Sequence, residues 1–323
     1  MSSSPSAEGA TSPPGSDPIG PLRLGFVGQA VYFEQCSLDL PTGRFAPRFI
    51  DFRAGIPSGP LLAELQAFDP DVLLVFRPEI IPAGLFDSLR AVTIGYLTEP
   101  LPRTGSPDHT DLRARMRWLE QLDPRNFDRV VSFDPLIAET AAKVVPVWRS
   151  LPIPVSDSLF MDVRGRADPP RLLFLGRSTE HREDLLAPIK RAYPLVHIGH
   201  GLSGRTLKRV LRNTDVQFNL HNNPYPSFEN RVSLALAAGH LVISEPLSPR
   251  HELRPGQDYL EAGDADGIRE LVDELTRDPS AFLEVQRSGR EQAERFRASR
   301  VYPELIDDAL TDIAECGSGR RRG

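Results

Sequence analysis

The sequence predicts an α/β protein of two doubly wound, parallel-sheet domains that face each other across a cleft. Short apolar runs alternate with helix-length segments in two series, over residues 22–148 and 171–262. The apolar residues in each run are continuous rather than alternating with polar ones, which is typical of parallel strands buried on both faces. Residues 151–170, rich in Pro, Ser and Asp, separate the two series and are predicted to form a linker.

The first domain is predicted over residues 21–150. It follows a leader, residues 1–20, whose Ser, Pro and Gly content predicts disorder rather than a signal or transit peptide. The apolar runs predict strands at residues 22–28, 48–52, 71–77, 92–98, 129–133 and 144–148. The segments between them predict helices at residues 60–68, 82–89, 110–122 and 135–142.

The second domain, predicted over residues 171–300, has the same Rossmann-like pattern. Strands are expected at residues 171–176, 195–199, 215–221, 240–245 and 258–262. Helices are expected at residues 181–191, 203–212, 229–238, 264–277 and 279–296. The helix at 229–238 must end at Gly239, because an apolar strand follows at once and the backbone has to turn sharply. A last helix is predicted near residues 303–315, within the segment 301–316, and a flexible tail at 317–323.

Composition limits the classes of function. The chain has 323 residues, of which 40% are hydrophobic and 25% charged, as in a soluble globular protein. A net charge of −6 argues against broad binding to nucleic acid or anionic membranes. The sequence contains no run of 18 apolar residues, so no membrane span is predicted. Cys36 and Cys316 lie far apart without metal-ligand spacing, which fits a reducing, cytoplasmic environment and argues against a disulfide framework or zinc site.

Polar, charged and Gly residues crowd the loops of the second domain at the ends of its strands. In α/β sheets a ligand crevice forms at the carboxyl ends of the strands, so these loops are the predicted binding site. The most informative group is Glu229, Asn230 and Arg231 at the start of an apolar helix. A solvated helix start with a local ion pair is the alternative interpretation of these three residues.

The segment FENRVSLALAAGHLVISEPLSPRHELRPGQDYL, residues 228–260, resembles the C-terminal half of GT-B glycosyltransferases. More narrowly, it is similar to their group-1, CgeB-like (spore maturation) branch. The matching positions are Arg231, Ala235, Ala237, Gly239, Pro255, Gly256 and Tyr259. The resemblance covers residues 170–310 well and the N-terminal half only in pattern.

The resemblance implies a GT-B fold and a hexosyl- or glycosyltransferase that uses a nucleotide-sugar donor. It further implies that the second domain binds the donor, that the first binds the acceptor, and that the last helix crosses back to the first domain. Such enzymes usually work without a metal ion, so no metal site and no cofactor besides the donor substrate are expected.

The sequence departs from the family at one position. The helix Glu that typically holds the donor ribose should lie five residues before Gly239, where this chain has Leu234. Three explanations remain open at this point: Glu229 or Glu245 substitutes for it, the donor is held differently, or donor binding is weakened.

Basic side chains and helix N-termini are the groups that neutralise a donor diphosphate without metal. Gly176, Arg177 and Ser178 directly follow a strand and suit that task, with Ser178 or Thr179 able to cap the next helix. Arg231 is the second candidate, because a planar guanidinium recognises phosphate in bidentate fashion. Glu229 is the candidate for ribose or sugar hydroxyls.

Further donor-site candidates lie at the neighbouring strand ends. His200 lies in a Gly-rich loop, residues 199–204, that leaves room for a nucleotide base. His221 ends its strand among Asn residues and is a candidate for phosphate or sugar contacts, with a structural hydrogen bond as the alternative. Glu245 and Ser248 follow the next strand, where the family presents backbone N–H groups to the diphosphate.

The first domain should supply any general base. Glu99, at the end of the strand at 92–98, is the candidate base. Asp134 ends another strand, but its position before Pro135 favours a helix N-cap. A retaining enzyme would need no such base, because the donor phosphate can accept the proton.

Two other functions remain open from the sequence. A catalytically inactive relative that binds sugar or nucleotide would explain Leu234. A nucleotide-sugar epimerase of the same fold would use carboxylate and His pairs across the cleft, for which Glu99, Asp134 and His221 are available. The sequence does not identify the sugar, the nucleotide, the acceptor, the stereochemical outcome or the oligomeric state.

Overall fold

The computed structural model describes residues 20–222 and 226–319. Within these residues the first half of the chain forms one sheet, whose strands all run parallel in the order β2-β1-β3-β4-β5-β6. The strands are β1 Leu22–Gly28, β2 Phe45–Asp51, β3 Val72–Phe76, β4 Val92–Leu97, β5 Arg129–Ser132 and β6 Arg149–Ser150. The central strand β3 is buried along its whole length, as its continuous apolar run predicts.

The second half forms a second parallel sheet, in the order β11-β10-β9-β7-β8. Its strands are β7 Leu172–Leu175, β8 Leu195–Ile198, β9 Val216–Asn219, β10 Leu241–Ser244 and β11 Leu260–Glu261. The first strand of this half, β7, lies inside the sheet between β8 and β9. β8 is therefore added on one side of β7 and the later strands on the other, so the strand order reverses at β7 and the loops after β7 and its neighbours open a crevice.

Helices cover both sheets. They are α1 Ala30–Phe33, α2 Gly59–Phe68, α3 Thr110–Leu119, α4 Ala138–Ala141, α5 Glu180–Ala192, α6 Gly204–Arg212, α7 Asn230–Ala237, α8 Ala265–Arg277, α9 Leu283–Gln292 and α10 Ala298–Cys316. Thr179 caps α5, because its hydroxyl accepts a hydrogen bond from the Arg182 N–H. The start of α3 is capped in the same way by His109, whose Nδ1 accepts from the Asp111 N–H.

Three elements differ from the sequence-based prediction. Residues 82–89 form turns instead of a helix, because Pro82 and Gly84, which has φ +68°, interrupt helical geometry. The strand predicted at 144–148 is displaced to β6, since Pro146 has no N–H to donate and pairing with β5 begins only at Trp148. Helix α1 was not predicted at all.

Two chain crossings join the two halves and run side by side. Val155 forms a parallel bridge with Arg297, in which the Val155 N–H donates to Phe296 and the Ala298 N–H donates to Val155. Asp157 then caps α10 by accepting hydrogen bonds from the N–H and hydroxyl of Ser299. The apolar face of α10 packs into the core of the first sheet through Tyr302, Leu305, Ile306 and Ala309.

Some predicted features lie outside the described residues. The leader predicted as disordered falls there except for Gly20, and so do residues 320–323 of the predicted tail. None of the helices with described positions is both long and apolar enough to cross a bilayer.

Candidate functional site

A cavity of about 510 Å³ lies between the two sheets. Several of its lining residues lie just after strands: Gln29, Arg77, Thr98 and Phe133 directly follow strands of the first half, and Arg177 and Asn222 lie two and three residues after β7 and β9. Parallel strands bring their carboxyl ends to one edge of a sheet, and here both such edges face the same space. We call this space the cleft.

The charge of the cleft is opposite in sign to that of the whole chain. Five arginines line it, Arg77, Arg115, Arg177, Arg182 and Arg231, against three carboxylates, Glu99, Asp111 and Glu229. The chain as a whole carries a net charge of −6. An excess of positive charge confined to a cleft in an acidic protein attracts an anionic ligand.

The first half of the chain forms one wall of the cleft, the first wall, and the second half forms the opposite one, the second wall. Arg231 is held rigidly in the second wall. It lies in the first turn of α7, is buried, and donates from Nη1 to the Leu175 carbonyl oxygen at 3.0 Å. Its Nη2 pairs with Glu229, and its guanidinium lies 5.6 Å from the centroid of the Phe174 ring. Burial shifts its pKa well below the usual range for arginine, and the nearby guanidinium of Arg182 adds to this shift.

Arg182 is fixed beside it. Its Nε donates to the carbonyl oxygens of Leu220 and His221, both at 3.0 Å, and its Nη1 donates to the Arg177 carbonyl oxygen. Burial lowers the pKa of Arg182 to about 10, so the side chain still carries its charge at neutral pH. We refer to Arg182 and Arg231 as the arginine pair.

A single carboxylate lies between the two guanidiniums. Glu229 pairs with Arg231 through Oε2 and with Arg182 through Oε1, the latter at 3.4 Å. The two guanidiniums thus share the Glu229 carboxylate, and the buried carboxylate of Glu245 acts electrostatically on both from behind. The ion pair that the sequence suggested at the start of α7 is present, and it involves a third residue, Arg182.

Gly176 is required by this arrangement. A Cβ atom at this position would lie 3.0 Å from Cζ of Phe174, 3.1 Å from Nη1 of Arg231 and 3.2 Å from Nη1 of Arg182. A side chain here would push against the arginine pair, so the glycine permits its close approach to the strand end.

Arg177 and Ser178 follow Gly176 and have different surroundings. The Arg177 side chain is 60% exposed and donates to the Asn222 Oδ1 at 3.2 Å. It also forms an ion pair at 3.1 Å with Asp111, on α3 of the opposite wall. The Ser178 hydroxyl binds Glu183 of α5, so it supports the helix start rather than pointing at the arginine pair.

His221 and Glu245 form a buried support behind the second wall, and neither lines the cleft. Glu245 accepts from the His221 N–H at 2.6 Å and contacts His181 Nε2 at 2.8 Å. The His221 ring contacts the Pro246 carbonyl oxygen at 2.9 Å and the Ser227 hydroxyl at 3.3 Å. Burial lowers the pKa of His221, which keeps the ring neutral and engaged with its neighbours.

His200 and Ser248 also lie outside the cleft lining. His200 is exposed in the loop 199–204, and next to it Gly201 touches the first domain. A Cβ on Gly201 would lie 2.3 Å from the Val31 carbonyl oxygen and 2.7 Å from Cδ1 of Tyr32. The sequence predicted room for a nucleotide base in this loop, but the aromatic ring that lies beside Gly201 is that of Tyr32 in α1.

Ser248 takes part in a second contact between the domains. Its hydroxyl accepts from Arg103 Nη1 at 3.1 Å, and Arg103 also pairs with Asp134 at 2.8 Å. Asp134 has the N-cap role that its position before Pro135 predicts, because its Oδ1 accepts from the Leu136 N–H at 2.7 Å. Both residues thus stabilise local structure and the domain contact.

Glu99 lies in the cleft, on the first wall. Its Oε2 is 3.2 Å from Nε of Arg115 and its Oε1 is 3.7 Å from Nε of Arg77. Its side chain is 29% exposed, so a carboxylate oxygen is accessible from the cleft while the group is held between two guanidiniums. Of the candidate residues in the first domain, Glu99 alone combines a carboxylate with a place in the cleft lining.

Sequence reasoning missed the residues that α3 contributes. Asp111, Arg115 and Trp118 line the cleft and are spaced i, i+4, i+7, which places them on one face of the helix. That spacing was the available signal. Arg77 was missed too: it directly follows β3 with a left-handed backbone, φ +59°, a conformation that sequence does not reveal.

Leu234, the departure from the family pattern, is buried in the core of the second half. It lies one helical turn beyond Asn230 and Arg231, both of which line the cleft. The side chain at this turn of α7 therefore contributes apolar packing. Among the residues with described positions, no group of three or more His, Cys, Asp or Glu side chains is placed to hold a metal ion.

Comparison with known proteins gives results for part of the sequence and for the whole fold. The profile of a family described as "Glycosyl transferase-like" matches residues 171–305. A search of curated protein sequences gives no match. Solved structures, in contrast, match over most of the chain.

Three structural neighbours illustrate the likeness. HepE from Anabaena, solved with UDP and glucose, has a TM-score of 0.57 and 10% identity over 90% of this chain and 100% of its own. AviGT4, a glycosyltransferase involved in avilamycin A biosynthesis, has a TM-score of 0.54 and 14% identity, covering 91% and 98%. Sucrose-phosphate synthase from Thermosynechococcus elongatus has a TM-score of 0.52 and 13% identity, covering 90% and 88%.

Residues 171–305 are therefore similar to a glycosyl transferase-like domain, and the fold is that of GT-B glycosyltransferases. The fold class predicted from the sequence is confirmed. The narrower assignment to the CgeB-like branch stays a prediction.

Proposed function

We propose that this protein is a glycosyltransferase that moves a sugar from a nucleoside diphosphate sugar to an acceptor hydroxyl. The observation that carries the proposal is the arginine pair with its shared carboxylate, placed beside Gly176 at the carboxyl end of the second sheet. The domain match over residues 171–305 supports the reaction class. Since HepE was solved with UDP and with UDP-glucose, a UDP-sugar is the first donor to test.

In the proposed reaction, the bond between the anomeric carbon and the diphosphate oxygen breaks as the acceptor oxygen bonds to that carbon. Negative charge accumulates on the departing diphosphate. Arg182 and Arg231 are already oriented by backbone carbonyls, so they stabilise this charge without reorganising. Arg177, more exposed at the edge of the cleft, adds a further positive charge.

The acceptor hydroxyl must lose its proton as it attacks. Glu99 is the proposed base in an inverting reaction, because its carboxylate lies on the wall opposite the arginine pair. In a retaining reaction the departing diphosphate oxygen takes the proton instead. The five arginines of the cleft supply the positive charge that a metal ion would otherwise provide, which is the basis for proposing metal independence.

The test is a thermal-shift panel of UDP, GDP, ADP and dTDP, each compared with its monophosphate and each measured with and without EDTA. A nucleotide at about 100 times its dissociation constant stabilises the folded protein by about 2.7 kcal/mol. We expect one diphosphate to raise the melting temperature by a few degrees and its monophosphate to do so less, because the arginine pair holds two phosphates. A flat response to the whole panel would contradict the proposal, and a shift that disappears with EDTA would contradict metal independence.

A second candidate function is a nucleotide-binding relative without transferase activity. The observation that favours it is Leu234, an apolar side chain where the resemblance expects a ribose ligand. Under this alternative a diphosphate raises the melting temperature, but no nucleotide is released from the matching nucleotide sugar with any acceptor. The epimerase alternative is disfavoured by geometry, since Glu99 lies in the cleft while Asp134 caps a turn and His221 binds backbone.

A further inference from the structure

We infer that the first domain has a separate acceptor subsite, which binds a neutral, apolar, ring-bearing body attached to the acceptor hydroxyl. A second cavity of about 480 Å³ lies on this domain next to the cleft. Its apolar lining comes from Ala54, Ile80, Ile81, Pro82, Ala83 and Trp118. The inference rests on the proposed function, because it names the class of acceptor for the same reaction.

The second cavity lies directly next to the cleft. Arg77 and Trp118 line both spaces, so together they form the boundary between them. The Arg77 guanidinium lies 5.1 Å from the centroid of the Trp118 ring, within the range of a cation–π contact. A molecule bound in the second cavity against Arg77 and Trp118 lies next to the part of the cleft that holds Glu99, whose carboxylate is 3.7 Å from Arg77.

Trp118 is the main reason to expect a ring. Its side chain is 45% exposed on α3, although an indole is among the most costly side chains to leave in water. Pro82 and Ala83 are also exposed, so an apolar surface surrounds the indole. A flat, apolar group that covers this ring gains burial and stacking together.

The charges of the second cavity argue for a neutral acceptor. Arg77 and Glu79 are its two charged lining residues, and they bind each other at 2.8 Å. Glu79 is buried, so neither a cationic nor an anionic acceptor finds a side chain of opposite charge that is not already engaged. Gln121 adds a neutral polar group at the rim. This separates the subsite from the arginine-rich cleft beside it.

Fluorescence provides a test that does not depend on activity. The chain has two tryptophans, so Trp148→Phe leaves Trp118 as the sole indole emitter. Trp148 packs at the edge of the first core, where Phe keeps an aromatic ring in place. We expect phenyl β-glucoside to change the Trp118 emission at concentrations about tenfold lower than methyl β-glucoside, a difference of about 1.4 kcal/mol. Equal responses to the two glucosides, or no response to either, would overturn the inference.

Trp118→Ala and its neighbour Arg117→Ala then separate the subsite from the donor site. Both positions are exposed on α3, so the folded structure should tolerate either change. In assays of nucleotide release, Trp118→Ala should lose the preference for the phenyl over the methyl acceptor while keeping the diphosphate-induced thermal shift. Arg117→Ala should keep both. If no nucleoside diphosphate shifts the melting temperature of the unmodified protein, the result counts against the proposed function. If Trp118→Ala keeps the preference for the phenyl acceptor, the result counts against the subsite alone.

Discussion

The two walls of the cleft are built in different ways. On the second wall, Arg182 and Arg231 are buried and their guanidiniums are fixed by main-chain carbonyl oxygens. On the first wall, Glu99 is held by the side chains of Arg77 and Arg115, and Trp118 is 45% exposed. Backbone carbonyls at strand ends cannot move without disturbing the sheet, whereas side chains on a helix surface can rotate.

This difference suits two kinds of ligand. A nucleoside diphosphate has the same charged groups in every donor, so a rigid site oriented in advance binds it without the cost of ordering. Acceptors differ in shape, and exposed side chains can adjust to them. Under the proposed function, the rigid side chains of this fold are those that contact the constant part of the ligand.

The largest effect is expected from Arg231→Met on the rigid wall. Methionine fills much of the volume of the buried arginine but cannot stabilise charge on the departing diphosphate. We expect kcat/KM to fall by about a thousandfold, in line with the loss of one oriented charge-stabilising group. Steady-state kinetics with the best nucleotide sugar, together with circular dichroism to verify the fold, measures this.

The matched control is Arg191→Met, which removes an exposed arginine near the end of α5. Arg182 lies in the first turn of the same helix. This variant should keep kcat/KM within a factor of about three, because it lies away from the cleft lining. A folded Arg231→Met protein with unchanged kcat/KM would refute the role of the arginine pair. The rigidity of the second wall would then have no link to the departing diphosphate.

A smaller effect is expected where the two domains touch. Gly201→Ala places a methyl group against the Val31 carbonyl oxygen, 2.3 Å away, and the Tyr32 ring, 2.7 Å away. Because these atoms belong to the opposite domain, the overlap is relieved by opening the cleft. We expect kcat to fall about tenfold, which is about 1.4 kcal/mol, and the radius of gyration from X-ray scattering to rise.

Gly199→Ala is the control in the same loop, since a Cβ there meets nothing within 4 Å. It should leave kcat and the radius of gyration unchanged. If Gly201→Ala lowered kcat no more than Gly199→Ala, the contact between the loop and α1 would have no part in closing the cleft.

The rigid wall was easier to predict from the sequence than the adaptable one. Glu229 and Arg231 are two residues apart at a helix start, so local sequence already places them near each other. Their partner Arg182 comes from another helix, and no local pattern connects it with them. His221 was a candidate because it is polar at a strand end, but burial and bonds to backbone give it a supporting place.

On the first wall the informative residues depend on how α3 is placed against the strands. The i, i+4, i+7 spacing of Asp111, Arg115 and Trp118 shows that they share a face, but not that the face meets a cleft. The left-handed backbone of Arg77 likewise follows from tertiary structure.

The predicted cytoplasmic location, which rests on cysteine usage, stays a prediction.

The smallest effect concerns the crossings that hold both walls in register. Glu294 pairs with Arg290 at 2.8 Å and with Arg297 at 2.6 Å, directly before α10. Hydrogen bonding to Arg297 and Arg290 lowers the pKa of Glu294 from 4.5 to about 2, against the opposing effect of burial. The ionised carboxylate is therefore favoured in the folded protein over the unfolded chain. Its stabilisation is full above pH 4.5 and is lost as the pH falls through the folded pKa.

Glu294→Gln should accordingly lower the free energy of unfolding by about 1 kcal/mol at pH 7, because the side chain is 35% exposed and solvent screens the full linkage value. The difference from the unmodified protein should shrink as the pH falls from 5 to 3, which urea unfolding at each pH measures. Glu284→Gln, at an 84% exposed carboxylate on α9, is the control and should show a much smaller difference throughout. A difference for Glu294→Gln that stays constant from pH 7 to pH 3 would mean that packing, and not the charge at the crossing, accounts for the loss. The crossing would then align the walls through the backbone bridge between Val155 and Arg297 and the hydrogen bonds of Asp157 to Ser299.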